Sequence, residues 1–195
     1  MTAQSYSFKP ALLRGERTYR LVGRALTLHD GTEVDLAAVT AAGFVNHTLR
    51  RSRIMRLDLY LGEEKHSIGY NGAEGAWQTD PHARAFLMLV RDVLASVSGL
   101  QPDFVVRLGE TGGIRMAMFV IGVLSALGGG GLFVTALASG VSADRLSAAA
   151  LPTLLMLGLG AVLVRAYWPW RAAPTGTAGA VATVVDEVIG KLGAA

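Results

Sequence analysis

The chain of 195 residues is 51% hydrophobic and 17% charged, and its formal net charge is +3 at pH 7. The high apolar and low charged fractions are typical of a membrane protein, and so small a charge without a basic face or tail argues against a nucleic-acid partner. Cysteine is absent, which excludes disulfides, thiolate metal sites and thiol catalysis.

Residues 17–72 have the pattern of short antiparallel strands. Asp30 and Gly31 form a tight-turn signal between two apolar runs. In the segment Arg53–Leu61, every second residue from Met55 onward is large and apolar, and the residues between them are more polar. That period of two predicts a strand with one buried face.

The period changes to that of a helix after Gly72. Thr79 or Asp80 can cap a helix that begins at Pro81, where the missing N–H has no helical partner to lose. An apolar stripe follows at three- and four-residue spacing, formed by Phe86, Leu89, Val90, Val93, Leu94 and Val97. We therefore predict an α+β soluble domain over residues 1–105, in which a small antiparallel sheet or barrel is capped by one C-terminal helix.

Two long stretches without charged residues follow, 116–143 and 146–164. A hydrocarbon layer of about 30 Å requires roughly 20 apolar residues in a helix, so both stretches are long enough to cross it. We predict a transmembrane hairpin with helices over residues 114–139 and 147–168 and a short loop over residues 140–146. The alternative, two buried helices of a soluble core, would require a much larger protein around them.

The segments on either side of this hairpin are rich in small residues. Residues 106–113 contain three glycines and predict a flexible linker after the soluble domain. Residues 171–195 are predicted to form a cytoplasmic tail with a short amphipathic helix. That helix either docks on the soluble domain or on a partner protein, or it remains a frayed tail.

Charges near the span ends predict the orientation. Two arginines lie close to the outer end of each span, whereas the loop between the spans has one arginine beside an aspartate. By the positive-inside rule we expect a multi-pass protein of the inner (cytoplasmic) membrane with both termini in the cytoplasm. An interfacial anchor of basic and aromatic side chains is predicted after the second span, formed by Arg165, Tyr167, Trp168 and Trp170.

The order of the soluble elements resembles a known family. Antiparallel hairpins, the segment Thr32–Phe44, the strand Arg56–Leu61 and the single helix after them are similar to a bacterial pleckstrin-homology-like (PH-like) domain, which is often attached to paired transmembrane helices. The resemblance covers about Tyr6–Leu100 and rests on pattern and order. It implies a small barrel capped by the helix, used for binding or assembly and not for catalysis. A lipocalin-like or generic α+β domain would share part of this pattern.

The densest basic cluster consists of Arg50, Arg51, Arg53 and Arg56. These side chains lie near a predicted strand connection, and each arginine close to an anionic leaflet contributes about 1 kcal/mol of attraction. The cluster predicts contact with lipid headgroups or a partner. The alternative is a solvated charged edge that discourages aggregation.

Small residues predict a packing surface on the first span. Gly122, Ala126 and Gly130 are spaced by four residues, which favours close approach of another helix, and Gly158 offers a matching surface on the second span. The approach is either within the hairpin or against another protein. The alternative is a flexible or kinked helix with no partner.

No motif predicts catalysis. The sequence lacks a serine nucleophile elbow, a phosphate loop and a short-range histidine pair, so we expect no enzyme, no metal site and no cofactor. We predict an accessory or assembly subunit of a larger membrane complex, with membrane lipids and other integral membrane subunits as partners. The alternative is a membrane-tethered sensor or signalling module that binds a lipid, peptide or small ligand. Transport ranks last, because both spans lack ionisable residues between their ends.

Overall fold

The structure, a computed structural model, describes residues 3–49, 51–109, 113–140, 143–170 and 174–192. It separates into two compact units: a sheet unit of Met1–Gly109 with Ala173–Ala195, and a hairpin unit of Glu110–Ala172. The helices described are α1 (Pro81–Leu100) and α4 (Ala178–Leu192) in the sheet unit, and α2 (Gly113–Ala138) and α3 (Ala143–Ala166) in the hairpin unit. The sheet unit therefore includes the end of the chain.

The first sheet is antiparallel and follows the chain order. Its strands are β1 (Gln4–Phe8), β2 (Arg17–Val22), β3 (Ala25–Thr27) and β4 (Glu33–Asp35). The predicted turn connects β3 to β4. Gly31 has a φ of 86°, which favours glycine, and the Asp30 carboxylate accepts a 3.0 Å hydrogen bond from the Thr32 N–H. The local residues are sufficient to explain this turn.

The second sheet is mixed, with the strand order β7-β6-β5-β8-β9. Its strands are β5 (Ala41–Leu49), β6 (Ser52–Leu61), β7 (Glu64–Ala73), β8 (Val105–Leu108) and β9 (Thr175–Thr177). The β5–β8 pair is parallel, and the other pairs are antiparallel. The alternation predicted for β6 is confirmed, because Met55, Leu57 and Leu59 are completely buried on one face.

Helix α1 packs against strands of both sheets. It begins at Pro81 as predicted, and the Asp80 carboxylate accepts a 2.8 Å hydrogen bond from a backbone N–H of the first turn. Phe86 is completely buried between the sheets: its ring centroid lies 5.6 Å from that of Phe8 in β1 and 6.2 Å from that of Tyr70 in β7. The predicted apolar stripe is thus the part of α1 that forms the core.

The two sheets stay open, so the small barrel is not formed. Among the described strands, the backbone link between the sheets is a single parallel bridge between Ala11 and Asn71. Strand β8 occupies the edge of β5 that would otherwise be available to the first sheet. Closure is prevented because a strand edge can pair with one neighbour only.

The end of the chain docks on the sheet unit. Helix α4 packs on α1 through an apolar face formed by Ala178, Val181, Ala182, Val185 and Ile189. Arg91 of α1 adds an ion pair, with 2.9 Å between its Nη1 atom and Asp186 Oδ1. The predicted tail helix exists and is docked, and the frayed-tail alternative is wrong.

Strand β8 corrects the predicted domain boundary. Residues 106–108 were expected to belong to the flexible linker, but they lie in the second sheet between β5 and β9. Val106 is completely buried. Strand β8 has only four residues, which are too few to show the alternation typical of a strand. The glycines at positions 109, 112 and 113 that follow it made the segment resemble a linker.

In the hairpin unit, one helix is long and apolar enough to cross a membrane. The segment Met116–Ala138 of α2 has 23 residues and a mean hydropathy of 2.0. The apolar segment found in α3 is Ala150–Ala166, which is shorter than a usual span. Length and composition therefore support one membrane-span candidate in the part of the chain that the structure describes, and the second span stays a prediction.

Docking of α4 can be tested with two neighbouring valines. Val185 is 3% exposed against α1, whereas Val184 is 59% exposed. Val185→Asp should detach α4, because the substitution removes about 1.5–3 kcal/mol of apolar burial and places a carboxylate at the contact. Limited proteolysis should then release fragments from the C-terminal segment, whereas Val184→Asp should leave it as resistant as in the unmodified protein. Equal resistance of both variants would contradict the docked helix.

Candidate functional site

Two glycines allow the backbones of α2 and α3 to touch. A Cβ atom on Gly122 would lie 2.8 Å from Leu163 Cβ and 2.9 Å from the Val164 nitrogen. A Cβ atom on Gly160 would lie 2.6 Å from the Ala126 nitrogen and 2.7 Å from the Gly122 oxygen. No side chain fits at such distances, so this contact requires glycine at both positions.

The contact repeats one heptad further along the hairpin. A Cβ atom on Gly129 would lie 3.1 Å from Met156 Cβ and 3.2 Å from Leu157 Cγ. Among the residues of α2 and α3 whose burial the structure describes, Gly122 and Gly129 of α2 and Thr153 and Gly160 of α3 are buried, and each pair is seven residues apart. Seven residues are close to two helical turns, so these residues form a continuous line along each helix. We call the line the glycine seam.

The glycine seam overlaps the predicted packing surface only in part. Gly122 lies in it and Ala126 lies beside it, next to Gly160, but a Cβ atom on Gly130 would have its nearest neighbour at 3.9 Å and one on Gly158 would have none within 4 Å. At 3.6 residues per turn, eight residues overshoot two turns by about 80°, which moves Gly130 off the line. Gly158 is two residues from Gly160 and therefore points to nearly the opposite side of α3.

Two of the residues predicted to form an interfacial anchor, Trp168 and Trp170, belong to an aromatic cluster within the hairpin unit. The ring centroids of Trp168 and Trp170 are 5.1 Å apart, and Phe119 of α2 lies edge-on to both, at 5.7 and 5.8 Å. The sequence prediction did not include Phe119. Its position about one helical turn before Gly122 places it on the same side of α2, which was the signal available in the sequence. Arg165 is exposed and lines a shallow cavity of about 420 Å³ beside Trp168, whereas Tyr167 is half-buried.

The predicted arginine cluster does not form one face. Arg51 is exposed in the β5–β6 turn, and Arg50 lies outside the described residues. The Arg53 guanidinium stacks 4.6 Å from the ring centroid of Trp77, while Arg56 turns to the other face of β6. Residues three apart on a strand point to opposite faces, which separates these two arginines.

Arg56 instead belongs to a polar cluster around Asp58, which the sequence did not reveal. Asp58 is 1% exposed and accepts a 2.6 Å hydrogen bond from the Ser67 hydroxyl. Its carboxylate also lies 3.0 Å from Arg56 Nε and 3.1 Å from Lys65 Nζ. Because all these partners are in register on β6 and β7, the cluster fixes the pairing of the two strands.

Two tyrosines hold α1 to the sheets. The Tyr6 hydroxyl donates to Asp92, and the Tyr70 hydroxyl donates to Asp80 at 2.5 Å. Burial raises the pKa of both tyrosines, and the neighbouring carboxylates raise it further. Hydrogen bonds to Asp92 and then to Asp186 raise the pKa of Arg91, which keeps this link between α1 and α4 charged. These groups serve packing and offer no nucleophile–base pair.

The remaining chemistry is sparse. Within the described ranges, no group of three or more His, Asp or Glu side chains could hold a metal ion. Comparison with known proteins adds no assignment, because no family model, curated protein or solved structure matches the chain. The candidate surfaces that the described residues offer are the hairpin, its aromatic end and the exposed loops of the sheet unit.

The glycine seam can be tested with two glycines of the same helix. Gly160→Ile should weaken α2–α3 packing by about 1–3 kcal/mol, because the side chain would overlap the α2 backbone. Gly158→Ile should change it little, because that position is open. Trp168 and Trp170 fluorescence in a Trp77→Phe background, followed during a detergent-unfolding titration, reports separation of the helices. Equal midpoints for both variants would contradict the seam.

Proposed function

We propose that the protein is a non-enzymatic inner-membrane protein in which α2 and α3 both cross the bilayer. The observation that carries this proposal is the pairing of β8, which precedes α2, with β9, which follows α3. A hydrogen-bonded sheet cannot be divided between the two sides of a membrane, so the chain must cross an even number of times between them. Since α2 qualifies as a span, α3 is the return crossing.

The length of α3 supports this role. Its 24 residues extend about 36 Å at 1.5 Å per residue, which is enough for the hydrocarbon layer. The positive charges outside the hairpin favour a cytoplasmic sheet unit, with both termini on that side. The aromatic cluster of Phe119, Trp168 and Trp170 then lies at the cytoplasmic interface, where tryptophan is favoured.

The proposal assigns the sheet unit to the PH-like class. Support comes from the order of its elements: four strands in the first sheet, then β5, β6 and β7 in the second, then α1. The open sheets and the added strands β8 and β9 are departures from a simple capped barrel. Such a domain would bind or assemble with partners.

An accessory or assembly subunit is the function that these surfaces support best. After the glycine seam has formed, Gly131 and Gly158 remain open, and large apolar side chains such as Leu124 and Leu127 are exposed on α2. Lipid covers such a surface, and its small residues also permit close packing of helices from another integral membrane subunit. The hairpin would thus contribute one internal and one external packing surface.

A membrane-tethered sensor is the second candidate. A cavity of about 330 Å³ lies between β1 and α1, lined on one side by Tyr6 and on the other by Met88 and Asp92. Its size suits a small ligand or a peptide side chain, and it mixes apolar and hydrogen-bonding walls. This cavity favours ligand binding in the groove between sheet and helix.

Topology can be mapped with single cysteines, because the natural chain has none. We expect Ser139→Cys to react with a membrane-impermeant maleimide from the periplasmic side of intact cells. Glu63→Cys and Lys191→Cys should react only after permeabilisation. Labelling of Glu63→Cys and Lys191→Cys from opposite sides would overturn the hairpin, as would extraction of the protein from membranes by alkaline carbonate.

Co-purification distinguishes the two functions. After mild detergent extraction, we expect integral membrane proteins to co-elute in fixed stoichiometry, as measured by mass spectrometry. Gly131→Leu should reduce that recovery several-fold while leaving α2–α3 packing intact, because Gly131 is open in the hairpin. An isolated protein whose melting temperature rises with a small ligand would support the sensor instead.

A further inference from the structure

Strand β7 forms one edge of the second sheet, and most of that edge is open. Its ten residues pair with β6 on one side, which fixes the strand in the sheet. On the other side, the Asn71 N–H donates a 2.9 Å hydrogen bond to the Pro10 carbonyl. Because backbone groups alternate in direction along an antiparallel strand, the N–H and C=O groups of Lys65, Ser67 and Gly69 point to that same side. No backbone group of the described residues pairs with them.

A proline explains why this edge stays open. The chain near Ala11 runs parallel to β7 and makes one bridge to Asn71. Extension of this bridge toward the start of β7 would require a hydrogen bond from the N–H of residue 10 to the Gly69 carbonyl. Pro10 has no N–H to donate, so the pairing stops at the bridge. The fold therefore leaves this edge available to another strand.

Basic side chains flank the open edge. Lys65 is exposed near the start of β7, on the same face of the sheet as Arg56. Next to Gly69, a cavity of about 290 Å³ is lined by three arginines, Arg14, Arg17 and Arg56, and by no carboxylate. A strand added to the edge would place one side chain opposite Lys65 and another opposite Gly69, beside this cavity.

Acidic side chains near the edge do not balance these cations. Asp58 is buried on the same face and already bonded to Arg56 and Lys65. Glu64 lies at the first position of β7, where its side chain belongs to the opposite face, and Glu16 is exposed in the β1–β2 loop. The face beside the edge consequently carries more positive than negative charge.

A second copy of the chain is a poor match for this edge. Antiparallel self-pairing centred on Ser67 would place Lys65 of one copy opposite Gly69 of the other and next to its Arg56. Like charges in neighbouring positions on adjacent strands are destabilising. Carboxylates at alternate positions of an added strand would instead lie opposite Lys65 and beside the arginine cavity. Charge complementarity thus selects an acidic strand.

We propose that the free edge of β7 binds an extended acidic segment of a partner protein, which adds to the second sheet as an antiparallel strand. Main-chain hydrogen bonds to Lys65, Ser67 and Gly69 supply the affinity, and Asp or Glu side chains at alternate positions supply the specificity. The antiparallel direction follows because such pairing is slightly more stable per residue. The inference deepens the assembly role proposed for the protein and rests on it, but it does not depend on the membrane hairpin.

The test uses the full chain in detergent and a fluorescently labelled peptide of alternating valine and glutamate with blocked termini. Fluorescence anisotropy should report saturable binding, and replacement of every glutamate by lysine should abolish it. In an antiparallel strand, the glutamates opposite Lys65, Ser67 and Gly69 direct their N–H groups to β7. N-methylation of the glutamate amides should therefore weaken binding about tenfold or more, whereas N-methylation of the valine amides should change it less than about threefold.

Two substitutions at one position provide matched variants. Gly69→Pro removes an N–H that points away from β6, so it breaks no bond within the sheet and should weaken peptide binding about tenfold or more. Gly69→Ala retains the N–H, and its Cβ atom would lie 3.7 Å from the Met55 oxygen, so binding should be unchanged. Melting curves establish whether both variants are folded. If Gly69→Pro is unfolded, the two N-methylated peptides decide on the natural chain.

Three results would each overturn the proposal: absence of binding, equal affinity for the two N-methylated peptides, or unchanged affinity of a folded Gly69→Pro variant. If the peptide does not bind and the solubilised chain is a dimer that Gly69→Pro converts to monomers, the edge belongs to a second copy. These results would leave the proposed assembly role standing, because co-elution of integral membrane subunits decides that role separately.

Discussion

The structure depends on a ladder of only three residue pairs, that between β8 and β9. So short a ladder is weak alone, but it brings α4 onto α1 and thereby completes the core with Val181, Val185 and Ile189. The loop that it closes contains the entire hairpin unit. Loop-closure entropy grows only slowly with length, so this burial is sufficient to hold together segments from either side of a long insertion. The sheet unit consequently cannot be completed until the hairpin has been made.

The hairpin divides its small residues between two tasks. Gly122, Gly129 and Gly160 are covered by the partner helix of the same hairpin, whereas Gly131 and Gly158 remain uncovered. In the proposed membrane setting no hydrophobic force drives helices together, so the close packing of the glycine seam holds α2 and α3 together. The residues on the other sides of the helices are free to specify lipid or protein neighbours.

Local periodicity was enough to predict β6 and α1, because the buried face of each element appears as a regular spacing of apolar residues within one continuous segment, such as Met55–Leu61. It could not predict the β8–β9 pair, whose partners are far apart in the chain and too short to show a period. The sequence predicted part of the glycine seam. A spacing of four residues identified Gly122 and Ala126, whereas the contact between the helices repeats every seven residues and therefore includes Gly129. Leu12 and Leu13, which are 81% and 99% exposed, carry no periodic signal in the sequence, and only the three-dimensional fold reveals that they lack a core to enter.

The neighbouring positions of Leu108 and Pro174 have a consequence for the architecture. A backbone hydrogen bond joins Leu108, the last residue of β8, to Pro174, which immediately precedes β9, and this is the geometry that an ordinary β-hairpin turn bridges. The hairpin unit is therefore an insertion into the loop of a β-hairpin. Replacement of residues 110–173 by a short turn would leave a continuous domain with every described strand and both of the helices of the sheet unit retained.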